Sequence, residues 1–387
     1  MSIFLKKILS SLLIFINAKK EFMPPKKADV VLWGVPSSFT YILSKKLNLN
    51  KKNLSLFHVW GEKIYIIPLL ISFLKFKFSL KSYSEEFIDI VKPKIIMSFL
   101  DNYTLFYLLK KNKFQKKILI QNATRSGEND TFVSSKFYKK NKIDYVFSQN
   151  KKIKRKYEKL LDAKVFNTGS FLSNFFPIKK NKKKYDLLFI STFKKGSEVI
   201  SKSKITLNEY LEAEKNLLKN IFKFTKKHKI KLSILCTNKY YQEKEEKYYY
   251  KEVLGHNKNW QFINRNFEDY GAAYKIVDQA KIVTGIDSTL LYESFGRGNK
   301  TIFFDVRPTN RSLYKLRRFG WPNKFPKSGP FWISSSEYNK IENILKKNIL
   351  INQFDWNKIH KKYSNYLMDF EQDNKSFKKI FKYCLKS

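Results

Sequence analysis

The residues best suited to chemistry lie between Lys281 and Asp305, KIVTGIDSTLLYESFGRGNKTIFFD. An apolar run ends in the turn Gly285-Ile286-Asp287-Ser288-Thr289, a short helical pattern follows and stops at Gly296 or Gly298, and a second apolar run begins at Thr301. This is one strand-helix-strand unit with a helix N-terminus at the carboxyl end of a strand. Backbone N–H groups without a helical partner, the hydroxyls of Ser288 and Thr289 and the positive end of the helix dipole together form an anion cradle. A nucleotide phosphate fits such a cradle. Thr289, Glu293 and Arg297 recur at i, i+4 and i+8 and share a face, while Leu290, Leu291 and Phe295 face the core. One polar stripe then offers a phosphate ligand and a carboxylate. The same residues also suit an ordinary N-cap at Asp287 or Ser288, with Glu293 and Arg297 forming a surface ion pair.

Arginine supplies the second signal. The chain holds 69 Lys against 8 Arg, and where Lys is the default cation, a retained Arg marks a need for the planar guanidinium that grips carboxylate or phosphate bidentately. Five of the eight, Arg297, Arg307, Arg311, Arg317 and Arg318, fall within 22 residues beside the cradle. The net charge of +44 calls for an anionic partner such as nucleic acid, a membrane surface or a phosphorylated substrate, and does not choose among them. The 35 Phe and 23 Tyr, with abundant Ile and Asn, are residues of A/T-rich codons, so part of that charge reads as compositional drift onto solvated surface. Cys236 and Cys384 form no C-x-x-C and the four His are scattered, which leaves no zinc or disulfide framework and points to a reducing, cytosolic compartment.

These residues need a scaffold to position them. A chain of 387 residues with 43% hydrophobic content predicts two or three folded domains. After Pro24-Pro25 the sequence repeats a beat of apolar run, polar loop and helical segment, which signals α/β. Strands are expected at Asp29 to Trp33, Leu54 to Val59, Lys94 to Leu100, Lys117 to Ile120, Tyr145 to Ser148 and Lys164 to Asn167, one doubly wound half. The Lys-rich break within 178–184 is expected to be a linker. A second series follows, with strands at Asp186 to Ile190, Lys231 to Cys236, Lys281 to Thr284 and Thr301 to Phe304. Ser334-Ser335-Ser336-Glu337 predicts a capping box for the helix carrying Ile341, Ile344 and Leu345. The expected division is thus 1–177, linker 178–184, 185–354, and C-terminal helices over 355–387. The architecture is two Rossmann-like domains facing across a cleft, with ligands beyond the carboxyl ends of the strands.

The runs 8–16 and 64–74 fall short of the roughly 18 to 20 residues that span a bilayer. Residues 1–20 predict an amphipathic helix packed on its own domain, the alternative being docking to anionic lipid. The run ends in Asn17-Ala18-Lys19-Lys20 without an A-x-A-like cleavage site, so export is not expected.

The segment 281–305 resembles the nucleotide-binding signature of GT-B-type transferases of bacterial surface-carbohydrate biosynthesis, in which a small-hydroxyl pair opens a helix carrying a Glu. Further landmarks are similar: Pro93-Lys94-Ile95-Ile96 leading to Asp101-Asn102, Ile120-Gln121-Asn122 with Arg125, Gly169-Ser170 before Asn174, and Gly329-Pro330-Phe331-Trp332. The resemblance implies a GT-B-like fold. It places Ser288, Thr289 and Glu293 at the donor, the hydroxyls on the phosphates and the carboxylate on the ribose; Gly285 and Asp287 of the same turn are candidate nucleotide-binding residues beside them. Asp101, with Asn102, Asn122 and Arg125, would face the acceptor. It also implies a metal-independent enzyme whose nucleotide sugar is a substrate, with no cofactor. The His-Pro dipeptide of some bacterial sialyl and Kdo transferases is absent, which leaves those donors in doubt.

Glycosyl transfer requires a base for the acceptor hydroxyl and positive groups for the departing phosphate. Asp101 is the first candidate base, with Glu128 and Asp130 as alternates, although Asp101-Asn102 is also a good helix start. Arg125, Arg297, Arg307 and Arg311 are the candidates for leaving-group neutralisation. The expected function is transfer of a sugar from a nucleotide-activated donor to a growing capsule or lipopolysaccharide chain or a lipid-linked acceptor, in the cytoplasm or on the inner membrane face. Polyol-phosphate transfer or nucleotide-sugar epimerisation on the same scaffold is the alternative. A non-enzymatic nucleic-acid-binding protein is the rival from another class, disfavoured because Lys is spread along the whole chain.

Overall fold

Short runs of Val, Ile, Leu and Phe, buried on both faces, build two parallel sheets in the computed structural model. It describes residues 13–35, 37–49, 53–125, 143–179, 182–195, 199–200, 205–237, 240–256, 258–307 and 319–386. The first sheet has six strands in the order Leu54–Phe57, Val30–Trp33, Ile95–Ser98, Lys116–Ile120, Tyr145–Ser148, Lys164–Asn167, all pairs parallel. The second, also of six parallel strands, runs Trp260–Ile263, Leu232–Leu235, Tyr185–Ile190, Ala280–Gly285, Thr301–Phe304, Trp332–Ile333. Two Rossmann-like α/β domains result, as the sequence pattern implies.

Strand alternation divides each sheet between two cores. Val31 and Trp33 pack with Phe87 and Tyr157 on one face of the first sheet, and Val30 and Leu32 pack with Phe171 and Phe377 on the other. In the second sheet, Leu187 and Phe189 pack on the long helix Leu207–Lys227, while Leu188 and Ile190 meet Leu291, Phe295 and Trp356. Helices on both faces leave the carboxyl edges of the strands as the place for polar loops.

The edge strand Trp260–Ile263 escapes the sequence pattern because it is half-exposed, with Gln261 in its middle. The helix expected after Ser336 starts at Tyr338 with Glu337 at its N-cap and no side-chain cap bond; Ser335 instead accepts from the Glu337 N–H at 3.2 Å. A reciprocal capping box does occur at the long helix, between Thr206 and Glu209. The expected helix 1–20 ends at Asn17, since Lys19–Glu21 pairs as a parallel strand with Lys63–Tyr65. Residues 1–12 of that expected helix lie outside the described residues; in the described turn Leu13, Ile14, Phe15 and Ile16 are exposed, with Ile14 lying against Gly61.

The last segment joins both halves. Trp356, on the helix Gln353–Leu367, belongs to the second core, whereas Phe377, Phe381 and Cys384, on Lys375–Lys386, belong to the first. Between these helices a strap crosses at the domain junction. Asp369 N–H donates to the Gln149 carbonyl at 2.9 Å, and Asn150 Nδ2 donates to the Leu367 carbonyl at 3.2 Å. Asn374 Nδ2 donates to the Phe171 carbonyl at 2.8 Å. The strap runs so close to Gly169, at φ 80°, that a Cβ there would overlap the Asp369 carbonyl. Only glycine fits both the dihedral and the approach. No helix among the described residues is long and apolar enough to cross a membrane.

Candidate functional site

The carboxyl edge of the second sheet carries the cradle. Strand Ala280–Gly285 ends against strand Tyr185–Ile190, where a Cβ on Gly285 would lie 3.3 Å from the Ile190 carbonyl oxygen, tighter than ordinary contact. The chain then turns through Ile286 and Asp287 into the helix Thr289–Gly296, with Ser288 at the N-cap. The Ser288 side chain makes no capping bond. Its hydroxyl and the first N–H groups of the helix therefore keep their capacity for an anion. Thr289 lies across the cleft from the first domain, its Oγ1 3.3 Å from Oγ1 of Thr124. That loop follows strand Lys116–Ile120, so the carboxyl edges of both sheets converge on the cradle.

Glu293 lies one turn further on and is buried. Ser170 of the first domain donates to its Oε1 at 2.5 Å, and the Tyr274 hydroxyl is a second hydrogen-bond partner. Burial pushes the carboxyl up to about 7, against the opposing pull of Ser170, Tyr274, Arg297 and Arg265. A carboxyl so placed is poised between proton donor and acceptor near neutrality. Arg265 stands in the loop after strand Trp260–Ile263 and donates through Nη2 to the Thr237 carbonyl at 3.3 Å, while its buried Nε has no hydrogen-bond partner among the described residues.

Three expected site arginines prove to be clasped by aspartates. Arg307 donates to Asp287 through Nε at 3.2 Å and Nη2 at 3.1 Å, to Thr192 Oγ1 at 2.7 Å and to the Tyr210 carbonyl at 2.8 Å. It stacks 3.5 Å from the Tyr210 ring. Its role is to hold the Asp287 turn in place; the expectation that it neutralises a leaving group is corrected, because its fork is occupied. Asp287 likewise serves Arg307 and is not available as a phosphate ligand. Arg297 is corrected as well. Its guanidinium pairs with Asp278, through Nε at 2.9 Å and through Nη2, and Nη1 donates to the Phe176 carbonyl at 2.8 Å. As the C-cap residue of the cradle helix it lies at the end away from the anion site, and it joins the two domains. The surface ion pair with Glu293 does not form, since both side chains are buried and each has other partners.

Asp101 is the principal correction. It lies in the turn that follows the strand Ile95–Ser98, and it is fully buried. Arg125 donates to it bidentately, with Nε at 2.9 Å, and the Tyr157 hydroxyl donates to Oδ2 at 3.0 Å. Its oxygens are taken by Arg125 and Tyr157, so it serves to orient Arg125 beside Thr124. Asn102 and Asn122 stay exposed at the same carboxyl edge. Glu128, Asp130 and Arg311 lie outside the described residues.

Ser170, Tyr274 and Arg265 were not identified as site residues from sequence, although Gly169-Ser170 stands among the landmarks. No spacing rule links position 170 to position 293. Their meeting requires the strap and the domain junction. Among the described residues there is no group of three or more His, Cys, Asp or Glu that could hold a metal ion.

The fold is shared with several proteins of known structure. A UDP-GlcNAc 2-epimerase from Methanocaldococcus jannaschii, in complex with UDP-GlcNAc and UDP, is 12% identical over 93% of this chain and 100% of its own, with a TM-score of 0.54. The S. aureus MnaA-UDP co-structure is 12% identical, covering 93% of this chain and 97% of that one, at a TM-score of 0.51. The wall teichoic acid polymerase TagF is also 12% identical, covering 93% and 90%, at 0.50. At these identities the likeness establishes the fold. No curated protein matches the chain in sequence. Residues 118–385 match a family described as "putative O-antigen biosynthesis protein". That match takes in most of the chain, including the whole cradle and the strap, and the protein belongs to this O-antigen biosynthesis family.

Proposed function

We propose that this protein transfers a sugar from a nucleotide-activated donor to a growing surface polysaccharide or a lipid-linked acceptor, with the donor bound at the cradle. The observation that carries the reading is the Ser288 N-cap. Its hydroxyl is not used to cap its own helix, and the adjoining Thr289 reaches Thr124 of the other domain. In this reading the diphosphate takes the N–H groups and hydroxyls of Ser288 and Thr289, and the leaving-group charge falls on the helix dipole and Arg265. No resident metal is needed. Glu293 accepts from the ribose hydroxyls, since a carboxylate has acceptor sites beyond those taken by Ser170 and Tyr274. Arg125, oriented by Asp101, faces the acceptor side with Asn102 and Asn122. The acceptor's proton goes to Glu128 or Asp130, the remaining candidate bases. The Methanocaldococcus jannaschii epimerase is in complex with UDP-GlcNAc and UDP, and MnaA with UDP, which makes a uridine diphosphate sugar the first donor to try and keeps epimerisation as the second reading.

The test is a thermal-shift and calorimetric screen against CMP, CDP, UDP, GDP and their sugar conjugates, repeated with Glu293→Ala. One nucleotide should stabilise the protein selectively, and the variant should lose about tenfold or more in affinity while keeping its fold. Unchanged affinity in the variant removes Glu293 from the site. Salt-sensitive stabilisation by oligonucleotides alone would overturn the enzyme reading.

A further inference from the structure

The large apolar side chains that remain exposed are concentrated on the first domain, away from the cradle. Phe22, Met23, Leu70, Leu74, Phe76 and Phe78 are each more than half exposed, Phe76 reaching 84%. Pairing of Lys19–Glu21 with Lys63–Tyr65 brings them together: Glu21 is in register with Tyr65, so Phe22 follows at the level of Ile66, where the helix Ile66–Leu74 begins. The helical turn ending at Asn17 joins the same surface, because Ile14 packs against Gly61 in the adjoining loop.

This face is built, not frayed. The helix buries Pro68 and Ser72 on its inner side and leaves Leu70, Phe73 and Leu74 outside. The Tyr65 N–H donates to the Tyr83 hydroxyl at 2.9 Å, Ser72 Oγ donates to the Lys77 carbonyl at 2.5 Å, and Lys75 pairs with Glu86 at 2.8 Å. The first bond fixes the start of the helix and the other two hold the turn after it, in which Phe76 adopts a positive φ of 54°. A bulky residue in the left-handed region costs about 1 kcal/mol or more, and here the cost is borne to direct a phenyl ring into solvent. A contiguous apolar patch of this kind marks an interaction site.

Charge selects the occupant. The two segments that form the face, 13–27 and 60–81, contain eight Lys and two Glu, and Lys19, Lys26, Lys27, Lys75 and Lys77 are exposed. A second copy docking by two-fold symmetry would set this positive face against itself. An anionic bilayer is attracted by it, at about 1 kcal/mol per basic residue near the surface. The helix of nine residues is about 13 Å long, too short to span, and is suited to lie in the interface with its aromatic and leucine side chains among the acyl chains.

We propose that this face docks the first domain onto an anionic lipid surface. The docking is independent of the transfer reading, because it involves no residue of the cradle and needs no nucleotide. Flotation of the full chain is measured with vesicles of phosphatidylcholine alone and of phosphatidylcholine with phosphatidylglycerol, at low and high salt. The protein should float with the anionic vesicles and be released by salt. Leu74→Glu with Phe76→Glu should weaken binding about tenfold or more, Phe22→Glu with Met23→Glu should do the same, and Lys26→Glu, Lys27→Glu and Lys77→Glu together should blunt the salt response. Unchanged thermal melting of these surface variants shows that the fold is kept. No flotation of the wild type, or equal flotation of both apolar variants, overturns the proposal. So does a wild-type dimer in sedimentation velocity that Leu74→Glu with Phe76→Glu converts to monomer without any lipid binding, since the occupant is then a second copy.

Discussion

The two domains use their carboxyl edges differently. In the second domain, the turn Gly285 to Thr289 is braced from behind by Arg307 and Asp287, and at its front the Ser288 hydroxyl makes no capping bond to its own helix. In the first domain, Asp101 closes on Arg125 and Tyr157, and at the opposite, amino edge Lys117 is sealed beneath the Tyr107 and Leu109 carbonyls. Both sheets are six-stranded and parallel, but they differ in strand order and in surplus hydrogen-bonding capacity. Similar residue types therefore carry different meaning: an aspartate after a strand anchors an arginine in both halves, but only in the second does that pairing leave a cradle free in front of it.

Breaking the closed side should have the largest effect. Asp101→Ala leaves a buried guanidinium and the Tyr157 hydroxyl without their partner, and should destabilise the protein by about 3 to 5 kcal/mol. Urea unfolding measures this, and a loss below about 1 kcal/mol would mean that the pair is not holding the domain.

Glu293 sharpens the contrast from the junction. Its folded-state value near 7 lies above the ordinary 4.5, so the stabilisation that comes with holding a proton is present below about 4.5 and is lost as pH rises through about 7. The stability of wild type relative to Glu293→Gln should thus be greater at pH 5 than at pH 8, by roughly 1 to 3 kcal/mol. Donor affinity should move the opposite way, rising with pH through about 7 because the carboxylate is the acceptor of the ribose hydroxyls. A flat difference in stability across that range would mean that burial does not perturb this carboxyl.

Lys117 gives the smallest effect. Burial pushes its ammonium down to about 7, so its contribution is complete above the ordinary 10.5 and is lost as pH falls through about 7. Lys117→Met should change stability by about 1 kcal/mol or less at pH 7, with wild type gaining on the variant up to pH 10. A gap that narrows over that interval contradicts a depressed lysine.

Much of this was legible from sequence, for identifiable reasons. Runs such as Val30–Trp33 and Leu187–Ile190 are apolar at every position because both faces of a parallel sheet are covered, and that continuity distinguishes them from loops. The turn Gly285 to Thr289 and the helix carrying Glu293 are local, so spacing alone places Ser288 at an N-cap. The arginine reading was half legible. That each retained Arg meets a bidentate oxyanion holds for Arg125, Arg297 and Arg307, but the oxyanion is an aspartate 24, 19 and 20 residues away, respectively. Residue type does not distinguish an internal carboxylate from a ligand's phosphate.

What the sequence by itself determined is therefore the period of the strands, the α/β class and the helix N-terminus of the cradle, all set by interactions within a few residues along the chain. Which charges stay available was decided by tertiary structure: Ser170 reaches Glu293 across 123 residues, and Gly169 lets the C-terminal strap pass between the domains. The physical reason is desolvation. Burial makes an unpaired charge too costly to keep, so every buried ionic group must find a partner, and only the assembled fold determines which groups are buried and which partners lie within reach.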